Sequence, residues 1–280
     1  MTVYQAPAKL NLSLLVHPPR SDGYHPLESL VQTIEWCDAL TVAPGEGHDE
    51  LDSDIEDNLV EKALRELRRD VRVPPLRMTL DKQIPIAAGL GGGSSDAAAA
   101  LLAGAGAAGL SRSELAPVAH RVGADVALFL TGGTLMMTGV GYDIEPLRPA
   151  GGFAVAVVTP SFGLSTVEVY RKWDELEGPE GDAVPDDLLP PALRGRMPMR
   201  NDLLPAALAV EPLLGDFMAD LLSTWGSAIS LTGSGSACFA YFPTVDEATD
   251  AVAAVFSLIE EGRGIGLRDG GVERVSNDEP

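Results

Sequence analysis

The sequence predicts a globular chain of mixed strands and helices, and three observations carry that prediction. A period-two alternation near the start reads as a strand, and a glycine-rich loop at 85–96 runs into an alanine-rich helical segment at 97–108. Amphipathic patterns at helical spacing recur at 58–69 and 246–261, and a further helix is expected at 111–122. With 280 residues, 45% of them hydrophobic, the chain can bury a core in one large or two modest domains. A turn-rich stretch holding Gly139, Gly141 and Pro146 marks the boundary, dividing the chain into 1–150 and 151–280.

Composition excludes several classes. Twenty Lys and Arg against 41 Asp and Glu give a formal charge of −21, which argues against nucleic acid or an anionic membrane as partner. An acidic chain attracts phosphorylated ligands only where local positive groups overcome that field, so the four lysines, Lys9, Lys62, Lys82 and Lys172, carry extra weight. No apolar run approaches the length of a membrane span, and the start Met1-Thr2-Val3-Tyr4-Gln5 lacks a signal-peptide pattern; a cytoplasmic protein is expected. Cys37 and Cys238 match no metal spacing and read as small buried hydrophobes.

In chain order, residues 3–16 alternate so that Lys9, Asn11 and Ser13 share one face and leucines the other. That polar face is either a solvent-facing edge or the lining of a cleft. Asp22-Gly23 sets a tight turn that presents Tyr24 and His25 side by side, an aromatic and an imidazole able to stack on and hydrogen-bond a planar base. A Tyr-His pair on a loop carries little by itself. Residues 27–42 continue as a strand, 44–57 form an acidic loop, and 58–69 an amphipathic helix. Pro74-Pro75 break the chain before a short strand at 76–80 and a turn at Asp81-Lys82-Gln83.

The loop itself reads Pro85, Ile86, Ala87, Ala88, Gly89, Leu90, Gly91, Gly92, Gly93, Ser94, Ser95, Asp96. Its glycines permit positive φ, so several N–H groups can turn toward one anion, and the helix that follows adds its positive end. Ser94 and Ser95 can cap that helix or turn their hydroxyls to the anion. A Cβ at Gly91 or Gly92 should close the nest while leaving a surface loop otherwise intact. No Lys follows Gly93 as a Walker loop requires, and Ser94 stands where a dinucleotide fingerprint needs glycine. A flexible loop before a capped helix is the plainer alternative.

Ser111 and Glu114 form a capping box for the 111–122 helix. Asp125 then stands at the edge of an apolar run, either as a helix cap or as a half-buried acid or base. Residues 153–158 read as a buried strand, 174–199 as a surface excursion, and 201–225 as helical with breaks at Pro205 and Pro212. A second glycine-rich turn at 229–236 leads into a strand at 237–242, a last helix spans 246–261, and the acidic end at 275–280 is expected to fray.

Three stretches, Pro7-Ala8-Lys9-Leu10-Asn11, the 85–95 loop and Leu231-Thr232-Gly233-Ser234-Gly235-Ser236-Ala237, resemble in order and separation the three signature motifs of the GHMP small-molecule kinases. Arg20-Ser21-Asp22-Gly23-Tyr24-His25, Glu56-Asp57-Asn58-Leu59, Gly123-Ala124-Asp125-Val126 and Asn201-Asp202-Leu203 are further similar to the 4-diphosphocytidyl-2-C-methyl-D-erythritol kinases. That family serves the non-mevalonate (MEP) isoprenoid pathway and moves the γ-phosphate of ATP to its substrate's tertiary 2-hydroxyl. The resemblance implies an α+β fold of two domains, an ATP-binding N-terminal domain at 1–150 and a C-terminal domain at 151–280, with the active site in the cleft between them. It implies ATP and Mg²⁺ as cofactors and CDP-methylerythritol as small-molecule partner, and it admits a homodimer.

By position, the resemblance gives residues 85–95 the ATP phosphates and places Asn58 and Lys82 near the nucleoside. Tyr24, His25 and Tyr170 would clamp the cytosine, and Asn11 and Thr166 would help place the substrate. Asp125 would be the base and Lys9 its cationic partner. No protein metal ligands are assigned, since magnesium keeps waters and leans on phosphates, with at most a serine such as Ser95 touching it. Ala127 departs from the proline common in the family after Asp-Val, which bears on the stiffness of the turn holding Asp125. Other GHMP kinases, acting on homoserine, mevalonate or a sugar, share the ATP loop but have no base for Tyr24-His25 to read. A catalytically inactive nucleotide-binding module should have lost Lys9 or Asp125, and both are present.

Overall fold

A computed structural model describes residues 1–55 and 58–275 of the chain. Glu56 and Asp57, from one of the motifs above, and the acidic end at 276–280 lie outside the described residues.

Two long strands form the backbone of the first sheet. β1 (Thr2–Val16) and β2 (Leu27–Pro44) run antiparallel, pairing Lys9 with Thr33 and Asn11 with Val31, with irregularities after Pro7 and after Asn11. β3 (Glu50–Asp52), α1 (Leu59–Leu67) and β4 (Leu76–Asp81) follow, then α2 (Gly92–Ala108), a 3₁₀ turn at Arg112–Leu115, α3 (Ala116–Val122) and α4 (Val126–Thr131). β5 (Thr134–Gly139) and β6 (Asp143–Pro146) return to this sheet, β5 beside β2 and β6 beside β5. A second sheet is built from β7 (Ala154–Thr159), then β8 (Ser230–Leu231) and β9 (Cys238–Phe242) after α5 (Thr166–Glu175), α6 (Leu204–Val210) and α7 (Leu213–Trp225). α8 (Val245–Ala254) precedes β10 (Glu261–Ile265), which edges the second sheet, and β11 (Glu273–Val275), which pairs with β1 in the first. The class is α+β, as expected.

α2 is buried because its side chains are small. Ala97, Ala98, Ala99 and Ala100 are wholly inaccessible, and a Cβ on Gly104 would stand 2.7 Å from Leu67 Cδ2, so α1 and α2 approach closely. Leu64 and Leu67 on α1 are fully buried, each worth roughly 1.5–3 kcal/mol.

Several expectations need correction. β1 is covered on both faces: Ala8, Leu10 and Leu12 enter one hydrophobic cluster, while Lys9, Asn11 and Ser13 on the opposite face are also buried, so that face is not a solvent edge. The 111–122 segment divides into a 3₁₀ turn and α3, although Glu114 Oε2 accepts from both the Ser111 N–H (2.9 Å) and its hydroxyl (2.6 Å). The 174–199 excursion is not confined to the surface, because Leu189, Leu193 and Met199 are buried beside Ala8 and Leu10. Pro205 starts α6 instead of breaking a helix. The last helix ends at Ala254. Gly264 then lets β10 lie against α8, since a Cβ there would be 2.1 Å from Thr249 N.

Candidate active site

A cavity of about 1030 Å³ opens where β1, the 23–25 turn, the 85–94 loop, the start of α5 and the 233–234 turn meet. Lys9, Asn11, Tyr24, His25, Asn58, Lys82, Pro85, Ile86, Ala87, Ala88, Gly89, Leu90, Gly91, Gly92, Gly93, Ser94, Asp125, Thr166 and Tyr170 all line it. Among the expected residues Ser95 does not.

The glycine loop is bent by positive φ at Ala87 (55°), Gly89 (78°) and Gly91 (74°). Gly91 is the N-cap of α2 and no side chain caps that helix. Ser94 and Ser95 therefore fall within the first turn and cap nothing, contrary to one expectation. Uncapped first-turn N–H groups over a cavity make an anion site of the kind the glycines suggested. Ser94 faces that space, whereas the Ser95 hydroxyl is buried with no partner. The loop is packed tightly on its inner side. A Cβ on Gly91 would stand 2.9 Å from Phe129 Cζ and one on Gly92 3.0 Å from Ile84 Cγ2, so valine at either position disturbs the core as well as the nest. Gly93 alone of these three faces open space, with Leu59 Cδ1 3.8 Å from a built Cβ.

Lys9 is 4% exposed, and its Nζ donates to Asn11 Oδ1 and, at 2.6 Å, to Gly89 O. Burial pushes the ammonium below the ordinary lysine range, and the negative charge of Asp125 opposes that shift through space. Asp125 is half-buried and occupies the N-cap position of α4, yet its side chain makes no capping bond. Of the two roles left open for it, the cap is thus absent. Asn11 is largely committed: its oxygen holds Lys9, its nitrogen donates to Ser29 Oγ at 2.7 Å, and Ser29 donates to Ser13 O at 2.6 Å. One amide hydrogen is left for a ligand.

Tyr24 and His25 are not presented side by side. Tyr24 is 67% exposed at the rim. The His25 imidazole is tucked in, with Nδ1 3.1 Å from His17 O and Nε2 3.4 Å from Asp174 Oδ2. Its ring centroid lies 5.2 Å from Tyr170 and 5.2 Å, edge-on, from Trp173. Burial pushes the Tyr170 phenol up to about 12, the charge of Asp125 adding to the effect. Thr166 opens α5 and its hydroxyl meets Ser234 Oγ at 2.8 Å.

Asn58 caps α1, its Oδ1 accepting from Val60 N at 3.0 Å. Lys82 donates to Asp38 Oδ2 and, at 2.8 Å, to Asp96 Oδ2. Burial works against the Lys82 charge, but the two acids outweigh it and raise its pKa. Burial, with the Asp38 charge adding and Lys82 opposing, pushes the Asp96 carboxyl up to about 7, and its Oδ1 has no partner. Asp38, Asp174 and Ser29 were not singled out from sequence, and Asp96 and Ser234 were quoted in their motifs without a role of their own. Asp174 follows Tyr170 by one helical turn and could have been found by that spacing; Asp38 carried no local signal.

Fold and site together define a class. The chain matches the family described as "GHMP kinases N terminal domain" over residues 58–133. Solved structures share the fold over nearly the whole chain: a homoserine kinase from Cytophaga hutchinsonii superposes with a TM-score of 0.64 at 17% identity, covering 98% of this chain and 97% of that one. A 4-(cytidine 5'-diphospho)-2C-methyl-D-erythritol kinase is nearer, with a TM-score of 0.75 and 30% identity over 97% of both chains. A 4-diphosphocytidyl-2-C-methyl-D-erythritol kinase of Rhodopseudomonas palustris is 38% identical over 277 residues, covering 90% of this chain and 92% of its own. One from Salinispora arenicola is 40% identical over 257 residues, 84% and 81% of the two chains. The chain belongs to the 4-diphosphocytidyl-2-C-methyl-D-erythritol kinase family of GHMP kinases. No helix among the described residues is long and apolar enough to cross a membrane.

Proposed function

We propose that the protein transfers the γ-phosphoryl group of ATP to the 2-hydroxyl of 4-diphosphocytidyl-2-C-methyl-D-erythritol, in the cytoplasm, within the cleft between its 1–150 and 151–280 domains. The observation that carries this reading is one cavity holding an uncapped, glycine-turned helix N-terminus, a buried lysine with a nearby free carboxylate, and a histidine–tyrosine wall.

The first-turn N–H groups of α2 and the 85–94 loop hold the ATP phosphates, with Lys82 and Asn58 beside the nucleoside. Asp125 accepts the proton of the tertiary hydroxyl as phosphoryl transfer proceeds, while Lys9 offsets charge on the transferring group. Asn11 and Gly89 O fix the direction of the Lys9 ammonium. His25, Tyr170 and Tyr24 receive the cytosine; Asn11 and Thr166 help to place the sugar portion. Magnesium, brought in with the nucleotide, would supply positive charge against that developing on the phosphates. Among the described residues there is no group of three or more His, Cys, Asp or Glu side chains that could hold a metal ion. Ser94, not Ser95, is the hydroxyl facing the cavity that could touch it.

Steady-state turnover of ATP by the purified protein against CDP-methylerythritol, mevalonate, homoserine and galactose tests the reading. Only the first should be phosphorylated at an appreciable rate; preference for any of the others overturns it.

A further inference from the structure

The Asn201-Asp202-Leu203 motif has no role in the site as described so far. Asn201 is 7% exposed and is tied to β1 by a parallel bridge to Leu14, with Leu14 N donating to Arg200 O at 2.8 Å and Asp202 N to Leu14 O at 2.9 Å. Its amide is oriented without ambiguity. Oδ1 accepts from Leu203 N at 2.9 Å, and Nδ2 donates to two carbonyls of the third glycine motif, Leu231 O and Gly233 O, each at 2.8 Å. Both amide hydrogens and the oxygen are therefore in use.

The loop so held meets β1 at Asn11 and approaches Lys9 at Gly233. Thr232 Oγ1 accepts from Asn11 N at 3.0 Å, at the point where β1 slips register against β2. Gly233 adopts a positive φ of 58°, and a Cβ there would stand 3.3 Å from both Lys9 Nζ and Gly89 O. Lys9 Nζ itself donates to Gly89 O. A shift of this loop opens the wall that confines the ammonium.

We infer that Asn201 is a positioning residue for Lys9, acting through the carbonyls of Leu231 and Gly233. The inference rests on the kinase reading above. Asn201→Asp keeps the acceptor for Leu203 but places an oxygen against two carbonyl oxygens, pushing the loop away. A misplacement of about 1 Å costs up to about 100-fold in rate, so kcat should fall roughly 10- to 100-fold with both KM values moving much less.

Two readouts separate positioning from general destabilisation. Combined with Lys9→Met, Asn201→Asp should add almost nothing, because both act on one group. Lys9, protected in the unaltered protein, should be acylated several-fold faster by acetic anhydride in Asn201→Asp, measured by peptide mass spectrometry against the exposed Lys172. Unchanged kcat and unchanged labelling, or a loss that multiplies in full with that of Lys9→Met, overturn the inference. If Asn201→Asp does not fold, Gly233→Ala presses on the same contact without removing the amide. It must then show the kcat loss and the altered Lys9 labelling, and normal values for both overturn the inference. Failure of the unaltered protein to phosphorylate CDP-methylerythritol is failure of the substrate reading alone, and the labelling rates still decide the role of Asn201.

Discussion

Replacing Asp125 by Asn keeps the shape of the side chain and removes the base. Because Asp125 makes no capping bond in α4, the loss of about 0.5–2 kcal/mol that follows removal of a helix cap should not appear, and the melting temperature should stay close to that of the unaltered protein. The rate should respond strongly. General-base loss costs about 10²–10⁴ in kcat, or roughly 2.7–5.5 kcal/mol at 1.36 kcal/mol per tenfold. KM for ATP and for the acceptor should change far less, since neither the α2 N-terminus nor the histidine–tyrosine wall is altered. A second signature comes from Lys9, whose pKa is lowered by burial and partly restored by Asp125. Without that negative charge the lysine pKa falls further, so the residual activity should be lost at lower pH on its alkaline side. Stopped-assay kcat and KM across pH, with calorimetric melting, provide the check. Near-normal kcat with a lowered melting temperature would make Asp125 a structural residue and refute the base assignment.

Three further outcomes follow from the same geometry. Gly93→Val should weaken ATP binding at least tenfold by calorimetry with little change in melting temperature, since its Cβ meets only Leu59; undiminished affinity would remove the phosphate loop from the account. Tyr24→Ala removes an exposed ring and should raise KM for the cytidine substrate about 5- to 150-fold, from a stack worth about 1–3 kcal/mol, while sparing KM for ATP; equal effects on both would refute the cytosine role. Asp96 has a folded pKa raised to about 7 against an ordinary 3.8, so its native state holds a proton that the unfolded chain releases. The stability it contributes is fully present below about pH 4 and is lost as pH rises through about 7, a change on the order of a few kcal/mol. Asp96→Asn should flatten that decline in urea unfolding between pH 5 and 8, and an unaltered slope would contradict it.

What the sequence made legible was chemistry dictated by local backbone need. Glycines at 89 and 91 announce positive φ, and the alternation of Lys9, Asn11 and Ser13 announces a shared face. Both features survive in the structure because no distant partner is needed to produce them. The burial of that face could not be read, since it depends on the 174–199 segment and the third glycine motif folding back over β1, through contacts 185 and 221 residues apart in sequence. For the same reason Asp38, which accepts from Lys82 and from the Gln83 and Ile84 N–H groups, left no local pattern. β10 was missed because its glycines weaken the strand signal while serving close contact with α8. Asp125 stood at a helix start with a cap or a catalytic role equally open, and only the absence of a capping bond separates the two.

The most direct test of the central claim is a ³¹P NMR spectrum of the product formed from ATP and CDP-methylerythritol by the purified protein. A new phosphomonoester resonance on the tertiary 2-hydroxyl is expected, with the cytidine diphosphate signals retained and ADP formed in equal amount. ADP without a new phosphomonoester, or phosphate attached at another hydroxyl, would contradict that claim.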